Sequence, residues 1–171
     1  GEILPDEILK DYIIKGFEDN KKSGKPYFGF TVTMQNHGPY YFYEPHKYYY
    51  HNVYNVEEKY YYTTNNYLGG VEKTSKFMYD MTEHFKNESA PTVLVFFGDH
   101  NPALGPNDEG FKSLGIDMDS DNIESFLRKY ETPYIIWANG SAKEILGNDF
   151  VVEGPDISAC LLYTSPSPRD A

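Results

Sequence analysis

The sequence predicts an α/β fold, a sheet flanked by helices on both faces, of which these 171 residues form an incomplete portion. Three observations lead there. Short unbroken runs of aromatic and β-branched residues at 27–34, 92–97 and 132–138 have the look of strands buried on both faces. Between them, apolar residues recur at spacings of three and four, the helical period. The two kinds of segment alternate along the chain, which argues for one layered domain.

The elements follow in order. Residues 5–19 read as an amphipathic helix: Pro5 suits a first-turn position, Asp6 and Glu7 complement the positive end of the dipole, and Ile8, Leu9, Tyr12, Ile13 and Phe17 fall on one side. The run Lys21-Lys22-Ser23-Gly24 ends it. Residues 27–34 form the first apolar run, bounded by Gly24-Lys25-Pro26 and His37-Gly38-Pro39. The Tyr-rich stretch that follows, to residue 66, lacks a clean period and is read as loop with some helix. Over 67–86, Val71, Thr74, Met78, Met81 and Phe85 repeat at three and four and predict a second helix, despite Gly69-Gly70, each of which costs about 1 kcal/mol in a helix interior. Residues 92–97 are the second strand. Residues 121–130 read as a short helix with Ile123, Phe126 and Leu127 turned inward, and 132–138 as the third strand. There is no internal repeat.

Composition excludes some partners. A formal net charge of -11 argues against nucleic acid, because binding a phosphate backbone needs a basic face. No stretch reaches the ~18 to 20 consecutive apolar residues of a membrane span, so any membrane anchor belongs to a region before residue 1. The native domain is assigned to residues 1–159. The segment 160–171, Cys160-Leu161-Leu162-Tyr163-Thr164-Ser165-Pro166-Ser167-Pro168-Arg169-Asp170 and the final Ala171, resembles the in-frame translation of a transposon-derived sequencing adapter and is set apart as non-native. A genuine Ser/Pro-rich tail is the alternative. Cys160 is native on one reading and adapter on the other; neither leaves a disulfide framework.

Chemistry is sought where strands end, because ligands of open α/β sheets gather beyond the carboxyl ends of strands. Two ends are chemically loaded. One run stops at Gly98-Asp99-His100-Asn101-Pro102, the other at Gln35-Asn36-His37-Gly38-Pro39-Tyr40. An adjacent carboxylate and imidazole can supply oxygen and nitrogen to a divalent metal. Taken alone, Asp99-His100 is equally a turn with an Asx-type hydrogen bond.

The two motifs together, in this order and about sixty residues apart, resemble the lipoteichoic acid synthase-type phosphoglycerol transferases of the alkaline phosphatase and sulfatase superfamily. The segment Gly154-Pro155-Asp156-Ile157-Ser158 resembles that family's closing region. The resemblance, covering roughly residues 5–158, implies the C-terminal part of a sulfatase-like catalytic domain with an alkaline phosphatase-like sheet. It also implies transfer of phosphoglycerol from phosphatidylglycerol to a glycerophosphate polymer or glycan acceptor through a covalent threonine intermediate. A divalent metal, Mn2+ or else Zn2+ or Mg2+, activates the hydroxyl and offsets charge on the phosphoryl oxygens. By motif, Asp99 and His100 are metal ligands, and His37 binds a phosphate oxygen or protonates the leaving alkoxide. Asn36 positions the loop and, with Tyr40, contributes to substrate binding. The family's nucleophilic threonine and an acidic ligand fall before residue 1, so the chain alone is expected to be inactive. Thr63, Thr64 and Thr74 do not stand in for that nucleophile.

The resemblance also implies a bacterial cell-membrane location, with the catalytic domain on the extracellular face. His46, His51 and His84 read as surface or loop residues. The clusters Tyr40-Tyr41-Phe42-Tyr43, Tyr48-Tyr49-Tyr50 and Tyr60-Tyr61-Tyr62 are assigned mostly to packing, with Tyr40 and Tyr41 as candidates to line the site. Other superfamily enzymes (a phosphoethanolamine transferase, phosphatase or sulfatase) and a noncatalytic glycan-binding module are the competing functions.

Overall fold

The computed structural model describes residues 4–40, 57–118 and 121–147. Tyr41, His46, His51, the clusters at 41–43 and 48–50, the 154–158 motif, Cys160 and the 160–171 segment lie outside the described residues.

A 3-10 turn at Asp6–Ile8 leads into helix α1, Leu9–Lys21. Pro5 stands just before the turn with φ -67°, the value its ring enforces. Gly24, with φ +65°, closes the helix: its N–H donates to the Lys21 carbonyl at 3.2 Å. Helix α2 spans Glu58–Phe85, β1 Val93–Phe97, α3 Glu109–Ser113, α4 Ile123–Tyr130, β2 Tyr134–Ala138 and α5 Gly140–Leu146. The class is α/β, with a small antiparallel sheet of β1 and β2 paired Val93 to Ala138 through Phe97 to Tyr134.

The main core lies where α1 and α2 meet the sheet. Phe77, Met81 and Phe85 are buried, and Ile13, Phe17, Leu94, Phe96 and Trp137 pack around them. Phe17 meets Phe85 edge to face at 5.0 Å between ring centroids. Each side chain so buried is worth about 1.5–3 kcal/mol. The helical period read over 67–86 therefore does point Met81 and Phe85 inward. The helix begins nine residues earlier than that reading, at Glu58; Tyr60, Thr64 and Tyr67 extend the same stripe. A second cluster of Leu104, Phe111 and Met118 packs beside Tyr40 and Tyr67.

Four expectations are corrected. Residues 27–34 form no strand, and Phe28 is 79% exposed. An apolar run reports a tendency to be buried, but a strand needs a neighbour to bond with, and no described residue pairs with this one. The two strands among the described residues are not buried on both faces: Leu94, Phe96 and Trp137 face the helices, whereas Val93 and Val95 are exposed. In α4 the buried residue is Ser125, while Ile123, Phe126 and Leu127 are exposed. That helix is held by its ends. Asn122 Oδ1 accepts from Ser125 N–H at 2.9 Å, and Asn101 Nδ2 donates to the Arg128, Lys129 and Glu131 carbonyls. Ile8 and Tyr12 of the first helix likewise point to solvent.

Between β2 and α5 sits a hub that the sequence did not single out. Asn139 is 2% exposed. Its Oδ1 accepts from Thr92 N–H at 3.0 Å and from Ala142 N–H at 2.9 Å, capping α5. Its Nδ2 donates to the Glu88 and Ala90 carbonyls at 2.9 Å and to Phe85 at 3.5 Å. One side chain thereby ties the end of α2, the turn after it, the entry to β1 and the start of α5.

Candidate functional site

The loop after β1 carries Asp99 and His100 and is fixed on either side of them. Gly98 N–H donates to the Pro133 carbonyl at 3.2 Å, and the Gly98 carbonyl accepts from the Thr132 hydroxyl at 2.7 Å. On the far side Asn101 is bonded to the end of α4. Between these anchors Asp99 and His100 stand exposed, with side chains 68% and 63% accessible. Asp99 Oδ1 accepts from His100 N–H at 2.9 Å, the Asx-type turn that the dipeptide suggested. Its Oδ2 lies 3.5 Å from His100 Nε2.

The ring nitrogens are differentiated. His100 Nδ1 lies 2.9 Å from the Asn101 carbonyl and His37 Nδ1 2.7 Å from the Gly38 carbonyl. A carbonyl only accepts, so each Nδ1 donates to its carbonyl and Nε2 is the nitrogen each ring has left. A metal-ligating histidine is commonly oriented in this way, through its other ring nitrogen. The two rings, far apart in sequence, stand 6.3 Å apart at 81°. The 35–40 and 98–102 segments, separate in sequence, are brought together at these two rings.

Tyr40 joins them. Its ring meets Tyr67 edge to face at 5.4 Å, and its hydroxyl donates to the Asn36 carbonyl. Burial, the neighbouring Tyr67 and the Asp99 charge together push its pKa up to about 12. Tyr40 is thus a neutral phenol, suited to packing and hydrogen bonding rather than proton transfer. Asn36 turns its amide the other way: Nδ2 donates to Thr74 Oγ1 of α2 at 3.0 Å. His84 is exposed on α2 with its ring against Phe85, matching its reading as a surface residue.

Asp99 and His100 give one oxygen and one nitrogen donor, which fits part of a four-donor divalent site. Among the described residues no group of three or more His, Cys, Asp or Glu side chains is placed to hold an ion. Beside the loop, an open cleft of about 610 Å³ is lined by Asn101, Phe111, Met118, Arg128 and Glu131. No described helix is long and apolar enough to cross a membrane.

Residues to which the sequence reading gave no role in the site also shape it. Asp6, Gln35, Gly70 and Thr74 brace the 35–40 loop from behind. Their only early signal was Gly69-Gly70, a helix-weakening pair in an otherwise regular helix.

Comparison with known proteins places these features in context. The sulfatase family pattern matches residues 4–158. A protein of Rhizobium meliloti (strain 1021), provisionally named for cyclic beta-1,2-glucan modification, is 28% identical over 146 residues, covering 81% of this chain and 22% of its own length. The chain thus spans about a fifth of that relative. No solved structure matches.

Proposed function

The chain belongs to the sulfatase family, and from that premise we propose that it carries part of the site of a metal-dependent phosphoglycerol transferase of the lipoteichoic acid synthase type. Family members commonly use divalent metals, and the chain belongs with enzymes of the transferase and hydrolase kind. The observation that carries the reading is the convergence of His37 on Asp99-His100, with Nδ1 of both imidazoles tied to backbone carbonyls.

In this reading Asp99 and His100 hold a divalent ion, Mn2+ by the resemblance, with the remaining donors contributed from outside the described residues. When bound, the ion supplies a Lewis acid that lowers the pKa of a threonine hydroxyl and offsets phosphoryl charge. The threonine oxygen forms a bond to phosphorus while the bond from phosphorus to the diacylglycerol oxygen breaks. His37 gives an Nε2 proton to that leaving oxygen, and the Gly38 carbonyl holds the ring in place through Nδ1. A hydroxyl of the acceptor then displaces the threonine and takes the glycerophosphoryl group. The neutral Tyr40 closes one side of the site and offers a hydroxyl surface to the headgroup.

The name of the Rhizobium relative favours a glucan as acceptor, with a glycerophosphate polymer as the other candidate. The open cleft beside Asn101 is the space this reading assigns to the acceptor. A lipid substrate puts the site at a membrane surface, and the family resemblance puts it on the outer face of a bacterial one.

The test uses the full-length protein with phosphatidylglycerol and an oligoglucan. Metal-dependent release of diacylglycerol with mass transfer to the glucan is expected. Release of free glycerophosphate with no labelled acceptor would make it a hydrolase instead, and glucan binding without any turnover would make it a binding module.

A further inference from the structure

The segment presenting His37 is held by a buried network that the proposed chemistry does not use. Asp6 is 2% exposed, and both of its carboxylate oxygens are engaged. Oδ1 accepts from Gln35 N–H at 3.1 Å, and Oδ2 accepts from the Thr74 hydroxyl at 3.1 Å. Gln35 reciprocates, its Oε1 accepting from Asp6 N–H at 3.2 Å, and its Nε2 donates to the Gly70 carbonyl at 3.1 Å. Thr74 Oγ1, its proton committed to Asp6, accepts from Asn36 Nδ2 at 3.0 Å. Three separate parts of the chain, the turn before α1, the 35–36 pair and the middle of α2, are thereby locked together.

Two local rules are broken at one contact inside this network. A Cβ on Gly70 would sit 2.1 Å from Asn36 Oδ1, so the Asn36 amide can lie against α2 only because residue 70 has no side chain. That same Oδ1 is buried without a partner among the described residues. A glycine inside a helix and an unsatisfied buried acceptor both weaken a fold, and when both fall one residue from a chemically loaded side chain, position is the common explanation. The His37 ring itself is exposed and, among the described residues, hydrogen bonds only to the carbonyl of its own neighbour, so its direction is set from the backbone at 35 and 36.

We infer that Asp6, Thr74 and Gly70 are positioning residues: they clamp Gln35 and Asn36 onto α2 so that His37, the next residue, faces His100. The inference rests on the proposed role of His37 for its effect on turnover, but the geometry of the clamp can be measured without it. Removing the clamp leaves every reacting group present and only shifts one of them, so the loss falls on the chemical step rather than on binding.

The experiment uses the full-length protein with selectively labelled histidine. Helix propensity alone predicts that Gly70→Ala stabilises the protein. The clamp predicts instead a kcat lower by about 10- to 100-fold with KM changed by less than about twofold. It also predicts loss of the nuclear Overhauser cross-peak between the His37 and His100 rings, read in metal-free protein. Thr74→Val should behave likewise, whereas Thr74→Ser, which keeps the hydroxyl, should retain both the cross-peak and turnover. Wild-type kcat and an intact cross-peak in both Gly70→Ala and Thr74→Val would overturn the inference, as would a Thr74→Ser variant as impaired as Thr74→Val. Failure of the functional reading is distinct: His37→Ala would then turn over normally, while the cross-peak would still report on the clamp.

Discussion

A histidine whose Nδ1 is tied to a backbone carbonyl has a single nitrogen left for chemistry, and both His37 and His100 are in that state. Their roles separate by neighbour: His100 has a carboxylate beside its Nε2, and His37 has the His100 ring. In the full-length enzyme, His37→Ala is expected to lower kcat by about 100-fold or more with metal content unchanged, the range of lost general acid catalysis. A rise in KM alone would make it a binding residue. Asp99→Ala and His100→Ala should each abolish metal-dependent turnover. Because both side chains are solvent-exposed, the metal-free melting free energy should move by no more than ~0.5 kcal/mol. A variant that keeps near wild-type activity would remove that residue from the ligand set. These residues were legible because both motifs are compact and end apolar runs. Asp6 was not, because its partners Gln35 and Thr74 lie 29 and 68 residues away and nothing in a local window announces them.

At the scale of elements, the contacts between segments are carried by a few polar side chains as much as by the apolar core. Asn139→Ala would leave two N–H groups and three carbonyls near the α2 to β1 turn without their partner, a cost of about 3–5 kcal/mol by thermal or urea unfolding. A change below about 1 kcal/mol would mean that water replaces the amide. A second tie is the 2.6 Å pair of Lys21, at the end of α1, with Glu88 after α2. The Lys21 ammonium and then the Ala90 N–H hold the Glu88 carboxyl down at about 2, below its ordinary 4.5. Its pKa is lowered in the folded state, so the stability it contributes is present above 4.5 and is lost as pH falls toward 2. Lys21→Met should flatten the melting temperature against pH across that window; an unchanged curve would show the pair to be idle. Long elements such as α2 were readable because their period persists over many turns. Residues 27–34 misled because hydrophobicity names a need for burial without naming a neighbour. The five-residue α3, entered through Asn107 and Asp108 at positive φ, offers no periodic signal.

Taken whole, the molecule leaves much apolar surface uncovered: Phe28, Phe30 and Val32 in the unpaired 27–34 segment, Val95 on one face of the sheet, and Ile123 and Leu127 on α4. An extended apolar segment with unpaired backbone groups is a template for another chain. Produced alone, the 171 residues are therefore expected to associate in size-exclusion chromatography and to bind Mn2+ or Zn2+ only weakly, with two clear donors present. A monodisperse, cooperatively melting monomer with tight stoichiometric metal would show that this chain is self-sufficient. A different vulnerability follows from Asn139 and the residue after it. Asn-Gly is the dipeptide in which the backbone nitrogen most readily attacks the side-chain amide, forming a cyclic imide that hydrolyses to aspartate or isoaspartate. In the native state the Asn139 amide is pinned by its hydrogen bonds and buried, which disfavours the attack. Unfolding releases it. An aspartate there can no longer donate to the Glu88 and Ala90 carbonyls, so each excursion through the unfolded state converts some molecules into ones that cannot rebuild the hub. The chain carries an ageing clock that runs only while it is open. Held above its melting temperature, it should lose refolding yield in step with deamidation of the peptide containing Asn139, and substitution of Gly140 by alanine, an exposed position with free space around it, should slow both together.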